Sequence, residues 1–180
     1  MSNINKPILL TMTIIATFLT ATNSFAAQNS NSSSTIETQS VRLDISRKLN
    51  DRFPDNNIEV TVFNNDVLLT GQIKSQRLKK DAEKYTIKLT NDPTIMNYLE
   101  VRKPQSAAQT AQDLAITSTV KGTLLSSSGI DSGKVKVVTS NGKVYLLGTI
   151  DKSQERKIID NVRTVAGVKK VIYAFKYNEQ

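Results

Sequence analysis

Cysteine and histidine are both missing from the 180 residues. Without thiols there is no disulfide to stiffen a small fold, no acceptor for a thiol-linked acyl chain and no thiolate ligand for zinc. Without imidazole the commonest general base and metal ligand are gone as well. No metal and no cofactor is therefore expected. Aromatic residues make up only 6% of the chain, and they do not interleave with basic residues as a single-strand nucleic-acid platform requires. Nucleic acid is not an expected partner. The apolar run Ile8 to Leu19 falls short of the roughly 20 residues of a membrane span. With Lys6 before it and Ser24-Phe25-Ala26 after it, residues 1–26 read as a cleaved export signal, and the mature chain is expected to begin near Ala27 in the periplasm.

What is abundant is positive charge, with a net +8 at pH 7. Outside the cytoplasm such a balance suits anionic lipid or glycan, although a basic surface that merely keeps the chain in solution gives the same total. The charge is uneven. Residues 40–102 carry 11 Lys/Arg against 9 Asp/Glu, whereas residues 103–180 carry 12 against 6. An acidic partner is expected to prefer the second half.

Ten residues recur. The run from Asn64 to Ile73, with Val67, Leu68, Leu69 and Gly71, realigns 77 positions later from Asn141 to Ile150, with Val144, Tyr145, Leu146 and Gly148. Two small modules are expected, 40–102 and 113–178, with residues 27–39 as a flexible tether and 103–112 as a linker around Pro104. Each opens with a helix: Val41, Ile45 and Leu49 after Ser40 as N-cap, then Ile116, Val120 and Leu124 after a Thr110-to-Asp113 capping box. Strands through Ile58, Val60 and Val62, or Val135 and Val137, lead into Asn64-Asn65-Asp66 and Asn141-Gly142-Lys143. Both segments suit the positive φ of a tight hairpin.

Gly71 and Gly148 close the return strands, where a bulge or a close helix approach leaves no room for Cβ. A second helix follows, over Ser75 to Leu89 and Ser153 to Val165, with Ala82, Tyr85 and Leu89 or Ile159, Val162 and Ala166 on its apolar side. The last strands alternate Ile95, Asn97, Leu99, Val101 and Val171, Tyr173, Phe175, Tyr177. The fold class is α+β, each module having two helices on one face of a three-stranded sheet. Leu68, Val138, Tyr145 and Leu147 then fall on the opposite face, where packing between modules is expected rather than a cofactor pocket.

That element order, with Asn141 to Gly148 leading to Gly167-Val168-Lys169-Lys170-Val171, resembles the BON domain over roughly residues 40–178. Copy one departs from the pattern at Asn91-Asp92, where the family has Gly-Val. The runs Asp113 to Leu125 and Val135 to Gly142 resemble the family's outer-membrane lipid-binding lipoprotein branch, with the osmotically inducible periplasmic proteins as the other close type. Membership implies a non-enzymatic envelope protein with affinity for phospholipid. The lipoprotein branch anchors itself through an acylated Cys, which this chain lacks. Its lipid-binding members often carry an aromatic near the start of the second module's first helix, where this chain has Ala115.

At 100° per residue, Leu114, Ser118, Lys121 and Leu125 form a stripe nearly opposite Ile116, Val120 and Leu124. Leucines flanking a lysine suit an anionic bilayer, with leucine in the acyl boundary and ammonium on phosphate. The same residues would also serve to dock the helix on module one. Module one has Gln39, Leu43, Ser46 and Asn50 in the corresponding places, a mostly polar face.

Elsewhere the chemistry is bland. Arg77, Lys79, Lys80, Lys84 and Lys88 interleave with Asp81 and Glu83, as on a solvated helix. Ser126-Ser127-Ser128 has no base beside it, and Asp66 suits its turn. Two readings result: a periplasmic protein that binds anionic phospholipid surfaces peripherally through its second module, and a soluble osmotic-stress or chaperone-like protein that holds other envelope polypeptides.

Overall fold

The computed structural model of the chain describes residues 29–90 and 95–179, with 29–36 as backbone only; the expected export signal and the Asn91-Asp92 position lie outside them. Module one comprises α1 (Asn29–Arg52), β1 (Asn57–Phe63), β2 (Asp66–Ile73), α2 (Gln76–Leu89), β3 (Ile95–Asn97) and β4 (Glu100–Val101). Module two comprises α3 (Ala107–Ser126), β5 (Val135–Ser140), β6 (Lys143–Ile150), α4 (Glu155–Arg163) and β7 (Lys170–Tyr177). Short 3-10 turns at Ser132–Lys134 and Lys152–Gln154 lead into β5 and α4.

In both sheets the second strand is central, antiparallel to the first and parallel to the last. A parallel return needs a crossover, which α2 and α4 supply. Each helix pair seals one sheet face. Ile45, Leu49, Ile58, Val60, Leu69 and Leu99 belong to the first core, and Val120, Leu124, Val137, Leu146, Ile158 and Val162 to the second.

The hairpins turn as their sequences require: Asn64, Asn65, Asn141 and Gly142 have φ of 48°, 65°, 54° and 74°. A Cβ on Gly71 would stand 2.1 Å from the Asn57 carbonyl oxygen, and one on Gly148 2.2 Å from that of Lys134. The crowding comes from the backbone at the start of the neighbouring strand, not from a helix. Gly167 leaves room for Ile116, whose Cδ1 would lie 2.9 Å from an added Cβ.

Several local expectations give way. Helix α1 starts at Asn29, so residues 29–39 are helical rather than an open tether, and Ser40 is internal, its hydroxyl donating to Glu37 O at 2.8 Å. Once a helix is nucleated, adding polar residues with only mildly unfavourable propensities costs little. Val41 is 46% exposed and lies off the core. Helix α3 begins at Ala107 with a capping box of Ser106 and Gln109, and so absorbs most of the expected linker; Asp113 lies well inside the helix and is buried. Helix α4 ends at Arg163, short of the expected Val165; its core stripe is Ile158, Ile159 and Val162, Val165 is buried just past its end, and Ala166 is exposed.

Module one's last strand is broken in two. Asn97 donates to Lys79 O and Glu83 and accepts from Leu99 N, so the chain kinks where Leu99 enters the core.

Candidate functional site

The sheet faces left bare by the helices meet each other. Leu68, Tyr145 and Leu147 are at most 2% exposed, and Phe63, Met96, Val138 and Ile172 pack against them. The Tyr98 and Tyr145 rings lie 5.1 Å apart, and burial pushes the Tyr145 phenol above its ordinary range, helped by the nearby Glu100 charge. All four residues expected on this face are in the contact.

Two ion pairs flank the apolar patch: Lys176 Nζ to Asp66 Oδ1 and Lys143 Nζ to Glu100 Oε1, each at 2.7 Å. Asp66 is 5% exposed, so it serves this contact as well as its turn. Burial alone would raise the Glu100 carboxyl. Lys143, Asn141 and Arg102 outweigh it and hold that group below the usual carboxylate range.

A polar chain closes the junction. Gln72 Nε2 donates to Gln105 Oε1 at 3.2 Å, Gln105 Nε2 donates to Asp113 Oδ2 at 3.1 Å, and Asp113 accepts from Asn141 N at 2.7 Å and Gly142 N at 2.8 Å. Asn141 and Gly142 thus form the β5–β6 turn that α3 grips through one buried carboxylate.

Away from this interface, α3 presents the stripe expected of it. Ile116, Val120 and Leu124 are buried, while Leu114 is 64% and Leu125 78% exposed, with Ser118 and Lys121 exposed between them. The two leucines do not dock on module one. Near the C-terminal end of α3 a shallow groove of about 220 Å³ opens, lined by Lys121, Leu124, Leu125, Ser132, Gly133, Val135 and Val137. Its floor is aliphatic and its rim carries an ammonium. Gly71 and Gly148 lie apart from it, within their own sheets.

Sequence reasoning missed the partners of the interface: Asp66, Glu100, Asp113, Lys143 and Lys176. One signal was available. Asp66 and Lys143 hold equivalent places in the repeat, and opposite charges at equivalent positions are what two modules facing each other about a pseudo-twofold axis can use.

The comparison with protein families agrees with this architecture. The model of the BON domain matches residues 39–103 and again 112–179, one match to each module. The chain belongs to the BON-domain family. Among BON relatives, the outer membrane lipoprotein DolP of Haemophilus influenzae is 32% identical over 120 residues. The 21 kDa hemolysin of Actinobacillus pleuropneumoniae is 31% identical over 120 residues, and the osmotically-inducible protein Y of Escherichia coli 32% over 124. Each alignment covers 67% of this chain and 62% of the relative's length. This BON pair is thus related to envelope proteins. Among its described residues no helix is long and apolar enough to cross a membrane.

Proposed function

We propose that this BON pair is a non-enzymatic, exported envelope protein that binds anionic phospholipid surfaces peripherally through its second module. The observation that carries the reading is the outward stripe of α3: Leu114 and Leu125, 64% and 78% exposed, on either side of Lys121. A leucine so exposed is commonplace alone; two flanking a lysine on one helix face form a small interfacial patch. Burying both in the acyl boundary is worth roughly 3 kcal/mol, and each nearby cation about 1 kcal/mol against an anionic leaflet. Such binding is weak, reversible and salt-sensitive. The outer-membrane name of the relative DolP and the excess of cations in residues 103–180 point the same way.

Co-sedimentation with vesicles of phosphatidylglycerol in phosphatidylcholine, against phosphatidylcholine alone, tests the reading. The chain is expected to pellet with the first and stay in the supernatant with the second; equal failure with both rejects it. Replacing Leu114 and Leu125 by Ser together with Lys121→Glu is expected to abolish pelleting.

A further inference from the structure

Strand β7 forms one edge of the second sheet. It pairs with β6 on one side, and among the described residues no strand and no other backbone group bonds to its outer side. Asn178 N donates to Ile150 O at 3.1 Å, while Ile150 stands opposite Tyr177. Backbone groups alternate sides along a strand, so those of Val171, Tyr173, Phe175 and Tyr177 point outward.

Proteins normally blunt such an edge, because a row of free N–H and C=O groups templates another strand. Module one does so: its last strand is broken at the Asn97 kink into pieces of three and two residues. The edge strands β1 and β5 have no exposed residue. By contrast, β7 runs for eight residues without proline or glycine, in unbroken register, and carries no charge from Val171 to Phe175. Lys170 and Lys176 stand near its ends, and Lys176 is taken up by Asp66. Aromatic rings line the edge. Tyr173 is 45% exposed and its ring stacks on Phe175 at 5.7 Å, while the Tyr177 hydroxyl is held by Glu155.

An extended row of backbone groups selects a strand rather than a lipid or a small molecule. Charge narrows the choice. Lys169 and Lys170 are exposed where the chain enters β7, and among the described residues neither forms an ion pair. A second copy is a poor match, since antiparallel pairing of two β7 strands about Tyr173 would set Lys170 against Lys176. We propose that the outer edge of β7 docks an extended, acid-flanked segment of another polypeptide as a fourth strand, with alternate apolar side chains laid on Tyr173 and Phe175 and an acidic residue against Lys169 and Lys170. Such docking is independent of membrane binding through α3.

The probe is a fluorescently labelled peptide of alternating valine and threonine with two glutamates at each end, titrated with the whole chain and followed by anisotropy. Binding is expected, with slowed hydrogen exchange at the amides of Val171, Tyr173 and Phe175. Methylating alternate backbone nitrogens of the peptide is expected to abolish binding, and exchanging its glutamates for lysines to weaken it at least tenfold. Tyr173→Pro removes an outward N–H without touching the β6 ladder, so it is expected to keep the melting temperature and lose binding about tenfold or more. Tyr173→Thr keeps that N–H and is expected to lose about threefold. If Tyr173→Pro fails to fold, the methylated peptide decides alone: equal binding of methylated and plain peptides overturns the proposal. Unchanged exchange at β7, or no binding at about 1 mM, overturns it too. A dimer of the chain alone that Tyr173→Pro dissolves would assign the edge to a second copy and overturn the peptide assignment.

Discussion

The two modules share a fold and differ in what they show to the outside. Helix α1 carries Gln39, Leu43, Ser46 and Asn50 where α3 carries Leu114, Ser118, Lys121 and Leu125, one exposed leucine and no cation against two leucines and a lysine. The buried stripes beneath are alike: Ile45 and Leu49 in one, Val120 and Leu124 in the other. Core positions are held by the volume between helix and sheet, and a change there costs about 2–5 kcal/mol. An outward stripe carries no such penalty. Two copies under the same packing constraint have therefore kept the inside and diverged on the outside.

The sharpest way to break the comparison is to part the modules. Leu147→Asp would place a carboxylate in the apolar patch between the sheets, with an expected loss of roughly 3–5 kcal/mol. Chemical denaturation is then expected to resolve two transitions, one per module, where a single one is expected of the wild type.

The glycine pair offers a matched test. Gly71→Ala and Gly148→Ala both drive a methyl into a backbone carbonyl, so each is expected to cost about 2 kcal/mol or more. Gly71→Ala is expected to cost more, because its φ of +100° adds strain. Equal melting temperatures for wild type and either variant would rule out the close approach.

A smaller effect concerns acid. The Glu100 carboxyl, held low by Lys143 and its neighbours, contributes stability that is present above its unfolded-state pKa and lost as pH falls through the lower folded value. Glu100→Gln is expected to cost about 1 kcal/mol at pH 7, a gap that narrows as pH falls through the lowered folded value. A gap that stayed the same at every pH down to acid unfolding would contradict the ion pair's role.

Smallest of all should be the effect of replacing Leu114 and Leu125 by Ser on stability, within about 0.5 kcal/mol, although vesicle binding is lost. A large drop in melting temperature would instead make those leucines part of the fold. Ala115→Trp, adding an interfacial aromatic on the same helix, is expected to strengthen vesicle binding without altering the melt.

Much of this was legible in the chain. The repeat gave the module count, and period-2 and period-3.6 patterns gave the element order, because cores impose those periods. The sheet faces that meet could be read from Leu68, Val138, Tyr145 and Leu147, which are apolar on the side the helices leave open. Helix ends were less legible. Ser40 and Thr110 have the chemistry of caps, but a cap forms only where the chain leaves the helix, and that depends on tertiary context. Ala166 kept the helical spacing yet lies beyond the end of α4.

The paired ion contacts of the interface are related by the repeat. Asp66 corresponds to Lys143, and Glu100, opposite Gln72, corresponds to Lys176, opposite Thr149. One module holds both acids and its sister both bases. A module one that met the same face of another chain's module one would bring acids against acids, and two second modules would bring bases against bases. The charges therefore act as a sorting rule. Like modules repel, unlike ones attract, and the partner nearest to hand is the one on the same chain, at an effective concentration of millimolar order. A duplicated domain that could have polymerised is thereby directed to close upon itself.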